Sequence, residues 1–228
     1  MNESLNLELL KAIFKGNIKK VKSILDKGLT PDEANVWGKK AMKFAIKRRQ
    51  TEIMKLLYER GFYTVDTGIY ASIVFDDLET LRKLLDNNTG SSFQDAFYIA
   101  VDLGKIDIVK IMLHEFNIEF YAKNKERKTA IDIAKTKEQK EVLLFLSKYE
   151  YTNNQLIRAC KCLKTEQVKM FLKKGANVNF KDKNGESVMT HAGRVFCKDK
   201  NTLALRNEIV NILLEHGANA LCSEKKSL

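Results

Sequence analysis

The run Asn35-Val36-Trp37-Gly38-Lys39-Lys40-Ala41-Met42-Lys43-Phe44-Ala45, closed by Glu52-Ile53-Met54-Lys55-Leu56-Leu57 and Gly61, decides the fold. It sets a small residue, Ala45, inside one helical pattern. A turn of a few residues follows, then an amphipathic run that stops at a glycine. The phrase recurs at a fixed distance: Ala12 precedes Ala45 by 33 residues, Gly28 precedes Gly61 by 33, and Ala159 precedes Ala192 by 33. Another copy is Lys128-Thr129-Ala130-Ile131-Asp132-Ile133-Ala134, closed by Glu141-Val142-Leu143. A further copy opens Asp182-Lys183-Asn184-Gly185-Glu186-Ser187-Val188 and ends Ile212-Leu213-Leu214-Glu215-His216-Gly217-Ala218-Asn219. Self-similarity at such a period marks a repeat architecture, in which one helix pair buries its apolar face only against its neighbours.

Aligned on the small residue, the chain reads as seven units with anchors Ala12, Ala45, Ser72, Ala100, Ala134, Ala159 and Ala192. Their bounds are 5–34, 35–66, 67–89, 90–122, 123–150, 151–180 and 181–222, within a single domain spanning 1–228. Each anchor is followed by apolar residues at helical spacing, such as Val21, Ile24 and Leu25, or Val168, Phe171 and Leu172.

These segments resemble the ankyrin repeat. The resemblance implies an all-α helical solenoid with short β-hairpin fingers, built from about seven stacked helix pairs. It also implies a non-enzymatic protein that binds another protein through a concave face made of finger tips and first-helix ends. The family opens its first helix with Thr-Pro-Leu-His; here the proline position holds Ala41, Ala96, Ala130 and Val188. The capping threonine survives as Thr129, with Ser187 as a substitute, and the motif histidine is absent. The sole proline, Pro31, lies in the first inter-repeat loop. The spacings Ala45 to Ser72, Ser72 to Ala100 and Ala134 to Ala159 are only 27, 28 and 25 residues, which predicts plain turns before units three, four and six. Roughly nine extra residues within Gly193 to Asn207 predict a loop or a lengthened helix in the last unit.

The net charge of +11 over 228 residues is unevenly spread. Residues 1–60 hold 14 Lys/Arg against 7 Asp/Glu, residues 61–120 hold 4 against 10, and residues 121–180 hold 14 against 6. Uniform basicity would favour a nucleic-acid track. This alternation points to a protein partner with a matching charge pattern, one bearing acidic patches; a monomer is expected. No apolar run approaches a membrane span, and Met1 to Leu10 lacks the features of a secretory signal. The expected location is cytoplasmic. The Lys, Asn and Ile content suggests an AT-rich genome, and with the resemblance it suggests an effector of an intracellular bacterium or virus acting on a host protein in the host cytosol.

Chemistry-bearing motifs are missing: there is no phosphate loop, nucleophile elbow or His-Glu-x-x-His, and the sequence implies no enzyme and no cofactor. Cys160 and Cys162 stand two apart on a helix and point to different faces. With His191 and Cys197 they lack the paired spacing of a metal site, so reduced thiols and no metal are expected.

Carried over position by position, the resemblance puts Val36, Trp37 and Lys39 on the second finger, with Lys47 and Arg48 at the first-helix end behind it. Phe14 and Lys15, Phe75, Leu103, Lys137 and Arg194 take helix-end positions elsewhere, and Lys125 and Lys128 lie on the fifth finger. Trp37 either faces a partner or packs on a neighbouring finger or on Pro31. Phe75 is either exposed or fills the gap left by a truncated finger. The run Lys47-Arg48-Arg49 is either a solvated helix end or part of a mixed aromatic and basic patch. Two other readings remain: a sensor of an anionic small molecule or nucleotide, using Trp37, Lys39 and Arg48, and a targeting fragment of a larger protein. The chain ends Glu224-Lys225-Lys226-Ser227-Leu228, soon after a last repeat without a polar cap.

Overall fold

The computed structural model describes residues 2–29, 36–86, 91–116 and 118–219. Among them are thirteen helices. The first seven are α1 (Asn2–Phe14), α2 (Ile18–Leu25), α3 (Val36–Lys47), α4 (Thr51–Glu59), α5 (Val65–Val74), α6 (Leu78–Asp86) and α7 (Ser91–Asp102). The rest are α8 (Ile106–Glu115), α9 (Ala130–Thr136), α10 (Lys140–Lys161), α11 (Thr165–Lys173), α12 (Val188–Gly193) and α13 (Lys200–Glu215). The fold is all-α. Among the described residues the one strand-like feature is an isolated antiparallel bridge between Lys181 and Ser187.

Six of the seven anchors sit before the same backbone turn. The residue four positions on takes the left-handed conformation, with φ between 52° and 71°, at Gly16, Arg49, Asp76, Gly104, Glu138 and Leu163. The next amide then reaches back to the anchor carbonyl: Asn17 to Ala12, Gln50 to Ala45, Asp77 to Ser72, Lys105 to Ala100, Gln139 to Ala134 and Lys164 to Ala159, all at 2.9–3.0 Å. This six-to-one closure satisfies the carbonyls that a helix end leaves open. Every anchor is buried. A small side chain there lets the neighbouring helices approach, and Ser72 satisfies its hydroxyl on the Ile69 carbonyl at 2.9 Å. Second helices end on left-handed glycines at Gly28, Gly61, Gly175 and Gly217, where a glycine carries no Cβ penalty.

The starts of the first helices follow the capping chemistry. Where Thr129 or Ser187 accepts an amide of the first turn, the helix begins immediately after it, at Ala130 and Val188. Without such a cap or a proline, nothing halts the helix upstream. α3, with Lys40 before Ala41, therefore begins five residues before Ala41; α7 also begins five residues before Ala96, although Asp95 stands at the cap position.

Two spacings resolve differently from each other. Before the third unit, Gly61 to Thr64 is a plain turn, and Thr64 caps α5 in a reciprocal box with Thr67. Before the sixth unit no turn exists: α10 runs unbroken through 22 residues, joining two helices expected to be separate. Thr152 Oγ1 donates to the Lys148 carbonyl at 2.8 Å and Asn153 Nδ2 to the Tyr149 carbonyl at 2.8 Å. Residues that normally break a helix here bond back along it. The turn expected before the fourth unit lies outside the described residues. The extra length of the last unit becomes both a loop, Arg194 to Asp199, and a 16-residue α13.

The chain divides into two compact units, Met1–Ile108 and Val109–Leu228. In the first, α1 packs on α2 and α3, α3 on α4, α2 on α4, and α5 on α6 and α7. Leu9, Ile13, Val21, Ile24, Met42, Leu57 and Phe62 are buried together in its core. Each such side chain contributes about 1.5–3 kcal/mol by leaving water. In the second unit α10 packs on α9, α11 and α12, and α13 on α11 and α12. Phe120, Tyr149 and Phe180 meet there with ring centroids 5.4–5.9 Å apart. None of the described helices is long and apolar enough to cross a membrane.

Candidate functional site

The turns after α1 and α3 bring two helix ends side by side in the first unit. Gln50, which follows the α3 turn, donates its side-chain amide to the Ile13 carbonyl at 2.8 Å and fixes one turn against the other. Arg48 then lies with its guanidinium carbon 3.9 Å from the centroid of the Phe14 ring. Phe14 is 58% exposed, and Phe44, one turn before Arg48 on α3, is 38% exposed. The flanking Lys11, Lys15, Lys43, Lys47 and Arg49 are exposed as well. No acidic residue occurs between Glu8 and Asp26 or between Glu33 and Glu52. Cations at helix C-termini favour the helix dipole, which accounts for the charges. It does not account for a phenylalanine held open beneath an arginine, an arrangement worth about 0.5–1 kcal/mol at an exposed site.

The other expected site residues fall into different settings. Val36, Trp37 and Lys39 do not lie on a turn ahead of the helix: they form the first turn of α3, because Ala41 stands where a proline would have started it. Their side chains lie outside the described residues. Phe75 fills a gap. It packs on Tyr58 with ring centroids 5.7 Å apart, and Tyr58 donates its hydroxyl to Asp77 Oδ2 at 2.9 Å. Burial, with the Asp77 carboxylate beside it, raises the Tyr58 pKa. Leu103 is half-buried in the turn after α7, and Lys137 is exposed at the end of α9. The aromatic partner of Arg48 is thus Phe14, the residue 33 positions before Lys47.

In the second unit, Lys125 and Lys128 belong to a tight turn whose backbone recurs 58 residues later. Asn124 Oδ1 accepts the amides of Glu126 and Lys128 at 2.9 and 3.0 Å. Asp182 Oδ1 accepts those of Asn184 and Glu186 at 2.8 and 3.0 Å. Lys128 Nζ pairs with Glu126 at 2.9 Å, and Arg194 pairs with Glu186.

Asp182, Glu186 and His191 offer ligand atoms within 4.8 Å of one another, among the described residues the one group of three or more that could hold a cation. His191 is buried, with Nε2 at 2.9 Å from Asp182 Oδ2 and Nδ1 at 3.6 Å from Glu186. Burial pushes the Asp182 pKa up, but the Glu186 and Asn184 amides and His191 together outweigh it, so the carboxyl lies below its ordinary value. His191 faces these carboxylates. The Cys160 thiol is buried, which pushes its pKa up to about 12, while Cys162 is exposed. Beside this turn, Lys183 lies 5.5 Å from the Tyr121 ring centroid and 3.7 Å from Glu150.

A scan against protein-family models finds no match to this chain, and a search of curated proteins finds no similar sequence.

Proposed function

We propose that the chain is a non-enzymatic repeat protein of the ankyrin type that recognises another protein through the ends of its first helices. The observation that carries this reading is Arg48 stacked on an exposed Phe14 within a stretch rich in cations and free of acids. Aromatic and arginine side chains dominate binding hot spots. A base of packed helices holds them in place, so little entropy is lost on docking. The surrounding lysines direct an acidic partner toward the aromatic pair and speed encounter. The repeated anchor turn supports the repeat assignment, because it presents the same two helix-end positions in successive pairs. The cytosol of the cell, or of a host, is the proposed setting.

The test compares wild type with Phe14→Ser and Arg48→Glu, exposed changes that leave helicity intact. Affinity capture followed by titration of the captured protein should show affinity lost by roughly 30-fold with either change. Thermal shift against a nucleotide panel separates the sensor reading. A ligand at 100 times its dissociation constant adds about 2.7 kcal/mol, so a saturable shift abolished by Arg48→Glu would replace protein recognition with nucleotide sensing.

A further inference from the structure

The loop between α12 and α13 has no counterpart in the other helix pairs, and its composition is not that of a connector. Phe196 stands 81% exposed there, the most exposed large apolar side chain among the described residues. Leu203, on the first turn of α13, is 40% exposed. The loop and the start of α13 enclose an open hollow of about 530 Å³, with Val195, Phe196, Lys198, Leu203 and Arg206 in its wall.

The charges around the hollow are unbalanced. Arg194, Lys198, Lys200 and Arg206 line it with a single acid, Asp199. Asp199 is already engaged as the cap of α13, accepting the Thr202 amide at 2.7 Å. Arg194 is held by Glu186. Among the described residues, Lys198, Lys200 and Arg206 have no acidic partner. Lys200 is also the first residue of a 16-residue helix with no acid in its first turn. A cation at a helix N-terminus opposes the dipole. Two lysines flanking the cap therefore weaken α13 in the free protein, and an anion laid across them relieves that cost.

We propose that this insertion is a second recognition site, separate from the Phe14–Arg48 surface, for an acidic peptide segment that carries an apolar side chain. The carboxylates of the segment meet Lys198, Lys200 and Arg206, while its apolar residue enters the hollow against Phe196 and Leu203. Charge complementarity selects this occupant. Residues 220–228 of the chain itself supply one acid and two lysines, the wrong balance to neutralise the site. A second copy brings a net charge of +11, and its acidic stretch, residues 61–120, makes self-association an outcome that the test must separate. A concave wall suits an inserted side chain rather than a flat lipid surface.

The experiment pans a random dodecapeptide display library on the intact protein and measures the enriched peptides by fluorescence anisotropy. The expected consensus is acidic with one large apolar residue. Phe196→Ser and the pair Lys198→Glu, Lys200→Glu should each weaken binding at least about tenfold, and added salt should weaken it further. Arg48→Glu should leave it unchanged, which keeps this site independent of the proposed function. Circular dichroism on the variants, all altered at exposed positions, confirms that they fold. The proposal is overturned if no peptide is enriched, or if the enriched peptides bind Phe196→Ser as well as wild type. It is equally overturned if Phe196→Ser abolishes only binding to vesicles containing phosphatidylserine, or only self-association seen in sedimentation.

Discussion

Asn153 holds the backbone amide of Asn177 at 2.7 Å while donating its own side-chain amide to the Tyr149 carbonyl at 2.8 Å. Asn177 completes the circuit by donating to the Tyr149 hydroxyl at 3.1 Å. A fully buried asparagine inside α10 thus pins the loop after α11 to the aromatic core of the second unit. Removing it strands a partly buried amide, which costs about 1–3 kcal/mol. Alanine recovers roughly 0.6 kcal/mol of helix propensity. Asn153→Ala should therefore lower stability by about 1–2 kcal/mol in urea denaturation, and an unchanged midpoint would refute the role given to this bond.

Glu138 is exposed and left-handed, at the position where two of the equivalent turns carry Gly16 and Gly104. A residue with a Cβ costs roughly 1–2 kcal/mol in that conformation, while glycine loses about 0.5–1 kcal/mol more entropy on folding. Glu138→Gly should raise stability by a few tenths to about 1 kcal/mol. Gly104→Ala should lower it by a comparable amount. A loss of stability in Glu138→Gly, or a gain in Gly104→Ala, would contradict the turn assignment.

Asp182 gives a signed pH prediction. Its pKa in the fold is lowered, so its contribution to stability is complete above the ordinary carboxylate value of about 3.9 and disappears as pH falls through the lowered value. Asp182→Asn should keep the turn, because Asn124 accepts the equivalent two amides in the sister turn. The variant should fold normally and lose stability less steeply than wild type as pH falls below about 4. Superimposable acid limbs would show that the charge facing His191 contributes nothing.

Thiol chemistry should separate two neighbours. Cys160 is buried with its pKa pushed up to about 12, whereas Cys162 is exposed. Since the thiolate is the reactive form, iodoacetamide should modify Cys162 in the native protein and Cys160 only after denaturation. Peptide mass spectrometry reads both positions. Native modification of Cys160 at a similar rate would mean that α10 opens locally.

The helical class and the places of six turns are legible in the sequence, because each turn follows a small buried residue such as Ala45 or Ala134 at fixed distance. The helix starts are less legible. Ala41 carries no stop signal, so α3 extends back over Val36 to Lys39, residues that the repeat pattern assigns to a finger. The fusion within α10 is hidden for another reason. Thr152 and Asn153 read as turn formers, and only the helix shows their side chains bonding to its own carbonyls. At the candidate site Arg48 is legible from the basic run. Its contact with Phe14 depends on two helix ends placed side by side, and no local period announces that. Phe75 is ambiguous until Tyr58 is seen beneath it. Asp182 and His191 straddle a turn and a cap, so no helical spacing links them.

The unbroken α10 restricts how this chain can change length. An insertion in the loop from Arg194 to Asp199 alters only that loop. A single residue added near Thr152 would turn everything downstream on α10 by about 100°. Leu156, Ile157 and Cys160, now buried, would swing toward water together, and Asn153 would release Asn177. Length variation among natural or engineered variants should therefore gather between α12 and α13 and spare residues 140–161, which makes α10 a ruler against which the surrounding elements keep their phase.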